Sequence, residues 1–348
     1  PFYMIKEINE VPQIIYNTTN YYSKNKVLEN IPKGFWKGIS RIKLIACGTS
    51  YHACLIGEHL LSEIGYDTTS YIASEFIYSD PIIDKNTLCV FVSQSGETAD
   101  TLSAINIAKQ KGAKTIGITN VLTSTITKIC DYILPIKCGA EIAVASTKAY
   151  NGQLTVFYIL SKYLSNNIKN YKKVLNDLKK LNKIIDIKNI EEQIKPLVKA
   201  VLDSNTVFMV GRQTDYVTSL ESSLKLKEIT YINCQGYASG ELKHGTISLV
   251  DNNTLVFAYI TNKKLANKTI NVVKQTQSRG AKLCVVSPFD DILTDTTINY
   301  KIKLPSCPEY LYPLIAVLPM QLLSYHTSVT LGYNPDKPRN LAKSITVE

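Results

Sequence analysis

The strongest constraint on the fold is that the chain repeats itself. "KLIACG" at 43–48 returns as "TVFMVG" at 206–211, and "QKGAKTIGIT" at 110–119 returns as "SRGAKLCVVS" at 278–287. "GQLTVFYILSKYL" at 152–164 likewise returns as "MQLLSYHTSVTLG" at 320–332. The first pair is offset by 163 residues and the other two by 168. One unit is therefore used twice, with a small insertion in the second copy. Within the unit, apolar runs such as Leu88–Val92, "KTIGIT" at 114–119 and "YILPI" at 132–136 have the length of buried strands. Between "KLIA" at 43–46 and Leu88–Val92, Ala53, Ile56, Leu60 and Ile64 recur at a helical period that stops at Gly65. Strands alternating with helices of this length predict βαβ units and a parallel sheet. The expected fold class is α/β, with two tandem doubly wound, Rossmann-like domains. The first covers 1–170 with a lead-in helix, and the second, with bridging helices, covers 171–333. A C-terminal tail covers 334–348. The Lys- and Asn-rich stretch 162–195 carries Val174, Leu178, Leu181 and Ile185 at helical spacing, so it reads as an amphipathic bridge whose lysines are solvated.

Composition removes several function classes. No apolar run reaches the roughly 18 residues of a membrane span, and "PFYMIKEINEVPQ" at the start lacks the apolar stretch of a signal peptide. The eight cysteines form no C-x-x-C pair. That pattern predicts a reducing cytoplasm, no disulfide framework and no metal site. The net charge of +10 is almost all lysine, the arginines being only Arg41, Arg212, Arg279 and Arg339. A surface so poor in arginine forks argues against a nucleic-acid partner, although it can gather an anionic small molecule.

The two copies differ where it matters for function. "SQSGET" at 93–98 becomes "TNKKLA" at 261–266. The fold therefore does not need the serine loop, and only the first copy is expected to carry a site. A loop at the carboxyl end of a parallel strand, feeding a helix, is where open α/β sheets hold ligands. Ser93, Gln94, Ser95 and Thr98 supply donors, the helix N-terminus favours an anion, and Gly96 lets the backbone approach closely. The alternative is simple capping of the helix by Ser95 or Thr98, and Glu97 reads as an ordinary choice at a helix start. "CGTS" at 47–50 and "VASTK" at 144–148 offer two more polar walls, with Thr49 and Ser50 as donors. Cys47 with His52 as its base is a weaker nucleophilic reading, since no third group orients the pair. Glu221, Lys225 and Glu228 fall on one helical face, which by itself is compatible with a surface ladder. His244 lies in "GELKHG" as a loop histidine, and Lys343 lies in the polar tail "DKPRNLAKSITVE".

Taken together, "CGTS", "SQSGETADT", "EIAVASTKAY", "LKLKEITYI", "GELKHG" and "DKPRNLAKSITVE" resemble the isomerase half of the glutamine–fructose-6-phosphate aminotransferases, whose repeats are sugar-isomerase (SIS) domains. The resemblance implies a phosphate loop at Ser93, Gln94, Ser95 and Thr98. It implies sugar contacts at Cys47, Thr49, Ser50, Val144, Ser146 and Ala342. It further implies that Lys343 forms a Schiff base with the open-chain ketose, that Glu228 moves a proton between C1 and C2 with Lys225 beside it, and that His244 opens the ring. The substrate and products would be fructose 6-phosphate, glucose 6-phosphate or glucosamine 6-phosphate. No cofactor would be required. The protein would be a homodimer with shared active sites, in which His244 reaches the partner's site. The full-length protein would carry an N-terminal cysteine glutaminase domain ahead of Pro1. A non-catalytic sugar-phosphate sensor would need the loop without Glu228, His244 and Lys343. A fructosamine-6-phosphate deglycase is disfavoured by the intact "NLAKSITVE" tail.

Overall fold

The computed structural model describes residues 2–346. It groups into two compact units. The first contains residues 10–141, 146–182 and those from 342 onward; the second contains residues up to 9, 142–145 and 183–341.

The first unit is built on a parallel sheet of β1 (Arg41–Ala46), β2 (Asp67–Ile72), β3 (Thr87–Val92), β4 (Lys114–Thr119) and β5 (Tyr132–Pro135), in the order β2-β1-β3-β4-β5. The second unit repeats that order with β6 (Thr206–Gly211), β7 (Cys234–Ala238), β8 (Thr254–Tyr259), β9 (Lys282–Ser287) and β10 (Tyr300–Lys303). All six residues of "TLCVFV" in β3 are buried, as are all six of "TLVFAY" in β8. A central parallel strand is covered on both faces, so its sequence is continuously apolar rather than alternating. The edge strand β2, "DTTSYI", is only partly buried, and its polarity follows from that position.

The helices that position the site are α1 (Gly48–Ser62), α2 (Ala99–Gln110) and α3 (Lys148–Leu164). Every residue of α3 except Lys162 and Tyr163 is buried. Gly57 of α1 is what allows α1 and α3 to meet: a Cβ there would lie 2.6 Å from Cδ1 of Phe157. The close approach also brings the starts of the two helices together, and Gln153 Nε2 donates to Ser50 Oγ at 2.8 Å. The bridging stretch folds as two helices, α4 (Ile168–Ile184) and α5 (Ile187–Leu202). Val174, Leu178 and Leu181 are buried, as their spacing predicts. In the second unit the helix after β6 is α6 (Thr214–Thr230).

Candidate active site

In the strand order of the first unit, successive connections diverge between β1 and β3. A crevice at that point is where a doubly wound sheet binds ligands. Ala46 and Val92 are register partners, so the chains leaving β1 and β3 emerge at the same level. Cys47, Thr49 and Ser50 follow β1, and Ser93 to Thr98 follow β3. The latter loop is internally braced. The Ser93 hydroxyl lies 3.0 Å from that of Thr98 and accepts a hydrogen bond from the Gly96 amide at 3.0 Å. Ser95 Oγ accepts from the Glu97 amide at 3.2 Å, and the Gln94 carbonyl accepts from the Asn120 amide at 3.2 Å. Gly96 is required here: its φ is +67°, and a Cβ would sit 2.1 Å from Ser124 Oγ.

The capping reading of this loop does not hold. Thr98 occupies the position before α2, but its side chain makes no capping bond and faces Ser93 instead. Glu97 is not a helix-start carboxylate either. It reaches across to accept from the amide and hydroxyl of Thr125, both at 2.7 Å. Its carboxylate finds two donors there, which anchors the loop to the segment after β4. What remains is a cluster of hydroxyls at the N-terminus of a twelve-residue helix, a chemistry suited to a phosphate.

The C-terminal tail lies on this loop. The Ala99 amide donates to the Ile345 carbonyl at 3.2 Å, and Ser344 Oγ donates to Ser95 Oγ at 3.3 Å. Between Ala342 and Ser344, the Lys343 ammonium donates to Glu141 Oε2 at 2.7 Å. The Glu141 carboxylate is fully buried. It also accepts from Ser146 Oγ at 3.1 Å and from the amides of Thr147 and Ala149 at 2.9 and 3.0 Å, at the start of α3. Sequence reasoning missed Glu141. It lies inside "EIAVASTKAY", but no periodicity marks a lone carboxylate ahead of a run of small residues. The structure thus brings Ser93, Gln94, Ser95, Thr98, Ser146 and Lys343 into one unit with Cys47, Thr49, Ser50 and Ala342.

Val144, Lys225, Glu228 and His244 belong to the second unit. There the Val144 amide donates to the Asp336 carbonyl at 3.0 Å. Glu221, Lys225 and Glu228 are not a surface ladder. Lys225 Nζ lies 2.7 Å from Glu228 and 3.5 Å from Glu221, and the side chains of Lys225 and Glu221 are essentially inaccessible. Buried charges are tolerated only when paired in this way, and Glu228, 13 % exposed, is the member that keeps a face open. His244 is exposed, just after a short 3₁₀ turn.

The second copy of the serine loop is tied down by the protein itself. Thr261 stands where Ser93 stands in the first copy, and its amide and hydroxyl donate to the Asp215 carboxylate at 2.9 and 2.6 Å. Burial pushes the Asp215 carboxyl up to about 6, against the lowering effect of the Thr261 bonds. Cys47 is no activated nucleophile. Burial raises its thiol, and the nearby Asp100 carboxylate raises it further. Among the described residues no group of three or more His, Cys, Asp or Glu side chains is arranged to hold a metal ion, and no helix is long and apolar enough to cross a membrane.

With this geometry in view, the chain matches the SIS domain at residues 37–162 and again at 201–331. It is 41 % identical over 357 residues to the glutamine–fructose-6-phosphate aminotransferase (isomerizing) of Fusobacterium nucleatum, covering 99 % of this chain and 59 % of that protein. It is 42 % identical to the enzyme of the same name from Clostridium tetani, with the same coverage. The chain thus spans about three fifths of the length of these curated relatives. Among solved structures, it resembles the C-terminal domain of glucosamine-fructose-6-phosphate aminotransferase from Francisella tularensis. The TM-score is 0.87 and the identity 29 %, over 97 % of this chain and 98 % of that one.

Proposed function

The chain belongs to the SIS-domain family, and from that premise we propose that it binds fructose 6-phosphate and carries out the isomerase chemistry of an aminotransferase that makes glucosamine 6-phosphate. The observation that carries this reading is the tail lying across the loop: Lys343 is held in the same unit as Ser93–Thr98, with Ser344 hydrogen-bonded to Ser95. A phosphate in the serine loop would anchor one end of an open-chain ketose and leave its carbonyl end for an amine. In this reading Ser93, Gln94, Ser95 and Thr98 bind the phosphate, while Cys47, Thr49, Ser50, Val144, Ser146 and Ala342 line the sugar. His244 opens the ring, a task suited to a group that titrates near neutrality. Lys343 condenses with the ketone, and the protonated imine draws electrons from C1. Glu228, paired with Lys225, takes the C1 proton and returns it at C2 on the same face. Ammonia for the amino sugar would come from a glutaminase domain, and a homodimer would share His244 between sites.

The test is incubation of the chain with fructose 6-phosphate in deuterated water, followed by product analysis by NMR. Glucose 6-phosphate should appear, carrying deuterium at C2 where the proton exchanges in transit. Glu228→Gln should keep phosphate-ester binding yet lose about 10²–10⁴-fold in rate, the span of a general base. Full activity in Glu228→Gln, or conversion that persists in Lys343→Ala, would remove these residues from the mechanism.

A further inference from the structure

We infer that Glu141 is the positioning and proton-accepting partner of the Lys343 amine in the step that forms the imine. The inference rests on the proposed Schiff-base role of Lys343. It starts from a chemical problem that the ion pair creates. A lysine attacks a ketone only as a free amine, and here its nitrogen is an ammonium donating at 2.7 Å to a carboxylate. The proton must leave before the bond to carbon forms, and the nearest base already touches it.

The construction of the carboxylate suits that task. Its two oxygens share the Ser146 hydroxyl, which lies 3.4 Å from Oε1 and 3.1 Å from Oε2, but otherwise differ in their partners. Oε1 takes the Thr147 and Ala149 amides, donors fixed by the backbone at the start of α3. Oε2 takes the Lys343 ammonium and the Ser146 hydroxyl. The amides hold the carboxylate in place whether or not the lysine is present, so Glu141 can exchange a proton through Oε2 without losing its position. The side chain is fully buried while that of Lys343 is 25 % exposed. The carboxylate therefore meets the substrate through the lysine nitrogen and the Ser146 hydroxyl rather than directly. The balance closes without another reagent. The ammonium gives one proton to Oε2, and the amine adds to the ketone carbon, giving a carbinolamine after proton transfer from nitrogen to oxygen. Glu141 returns its proton to the departing hydroxyl, which leaves as water. The product is a protonated imine whose positive nitrogen faces the carboxylate that first held the ammonium. An ion pair that served only to anchor the tail would need neither the buried carboxylate nor its backbone clamps, because exposed pairs do that at little gain.

The experiment is reductive trapping. The chain is mixed with fructose 6-phosphate and cyanoborohydride across a range of pH, and the adduct is located by peptide mass spectrometry. Wild type should trap the sugar on Lys343. Glu141→Gln should bind fructose 6-phosphate within about 3-fold of wild type but trap it about 10²-fold more slowly. Its trapping rate should climb steeply toward alkaline pH, where solvent removes the proton. Glu141→Asp retains a carboxylate at the start of α3, one methylene further from the nitrogen. It should trap at an intermediate rate with a wild-type-like pH profile. Should the glutamine variant not fold, the aspartate variant decides, and undiminished trapping there overturns the inference. Equal rates and equal pH profiles in wild type and Glu141→Gln, with the adduct on Lys343, would also overturn it while leaving the Schiff base intact. Absence of any Lys343 adduct in wild type would instead overturn the Schiff-base reading on which it stands.

Discussion

At the scale of the residue, two carboxylates show what a sequence hides. Neither Glu141 nor Asp215 belongs to a periodic pattern. Each gains its meaning from a backbone amide that donates to it: that of Thr147, six residues on, for Glu141, and that of the distant Thr261 for Asp215. Lys343, Glu228 and Ser93, in contrast, were legible because they stand in ordered motifs with the other site residues. Asp215 also makes a measurable prediction. Its folded pKa lies near 6, above the ordinary aspartate value of 3.8. The native state therefore keeps a proton that the unfolded state gives up at lower pH. Between those values the native state binds more protons, so stability falls as pH rises from about 4 to about 6 and stays lower above that. At 1.36 kcal/mol per pH unit the full effect is about 2–3 kcal/mol. Denaturant unfolding of wild type and Asp215→Asn should show the variant gaining on wild type by about this amount between pH 4 and pH 7. A difference that does not change with pH would mean that Asp215 titrates alike in both states.

At the scale of the element, the repeat made the architecture readable before any contact was known. Central strands such as "TLCVFV" announce themselves because both faces are buried. The strands hidden from a reading of apolar runs include β2, "DTTSYI", β7, "CQGYA", and β10, "YKIK", which lie at sheet edges. The serine loop was legible by comparison with its own second copy. The physical basis of the difference is now visible. In the first copy, the Ser93 and Thr98 hydroxyls pair with each other at the start of a helix; in the second, Thr261 is tied to the Asp215 carboxylate. Phosphate affinity should therefore reside in the first copy alone. Calorimetry with fructose 6-phosphate should show a large loss for the paired Ser93→Ala and Ser95→Ala change and little effect for Lys263→Ala. Gly96→Ala should abolish binding as well, since its Cβ would collide with Ser124 at a backbone angle that only glycine adopts easily. Comparable losses from the changes in the two copies would refute the one-loop assignment.

At the scale of the whole molecule, the proposed isomerase chemistry and the release of ammonia from glutamine make different demands on the side chains. Release of ammonia from glutamine by a cysteine needs a thiolate, and a thiolate forms near neutral pH only where positive charge or a helix terminus lowers the thiol pKa. All eight cysteines of this chain are shifted the other way. Burial is the leading cause at each of Cys47, Cys54, Cys89, Cys130, Cys138, Cys234, Cys284 and Cys307. Cys47 and Cys307 alone are not fully buried, and Cys47 carries the added repulsion of Asp100. The curated relatives are longer than this chain, which leaves room in them for groups these residues do not provide. The chain supplied with fructose 6-phosphate and glutamine should therefore form glucose 6-phosphate but neither glutamate nor glucosamine 6-phosphate. Cys47→Ser, which alters a side chain proposed to line the sugar, should likewise release no glutamate. The decisive measurement is glutamate release: if the chain liberates glutamate and Cys47→Ser does not, the Cys47 thiol of the first unit is acting as the nucleophile after all.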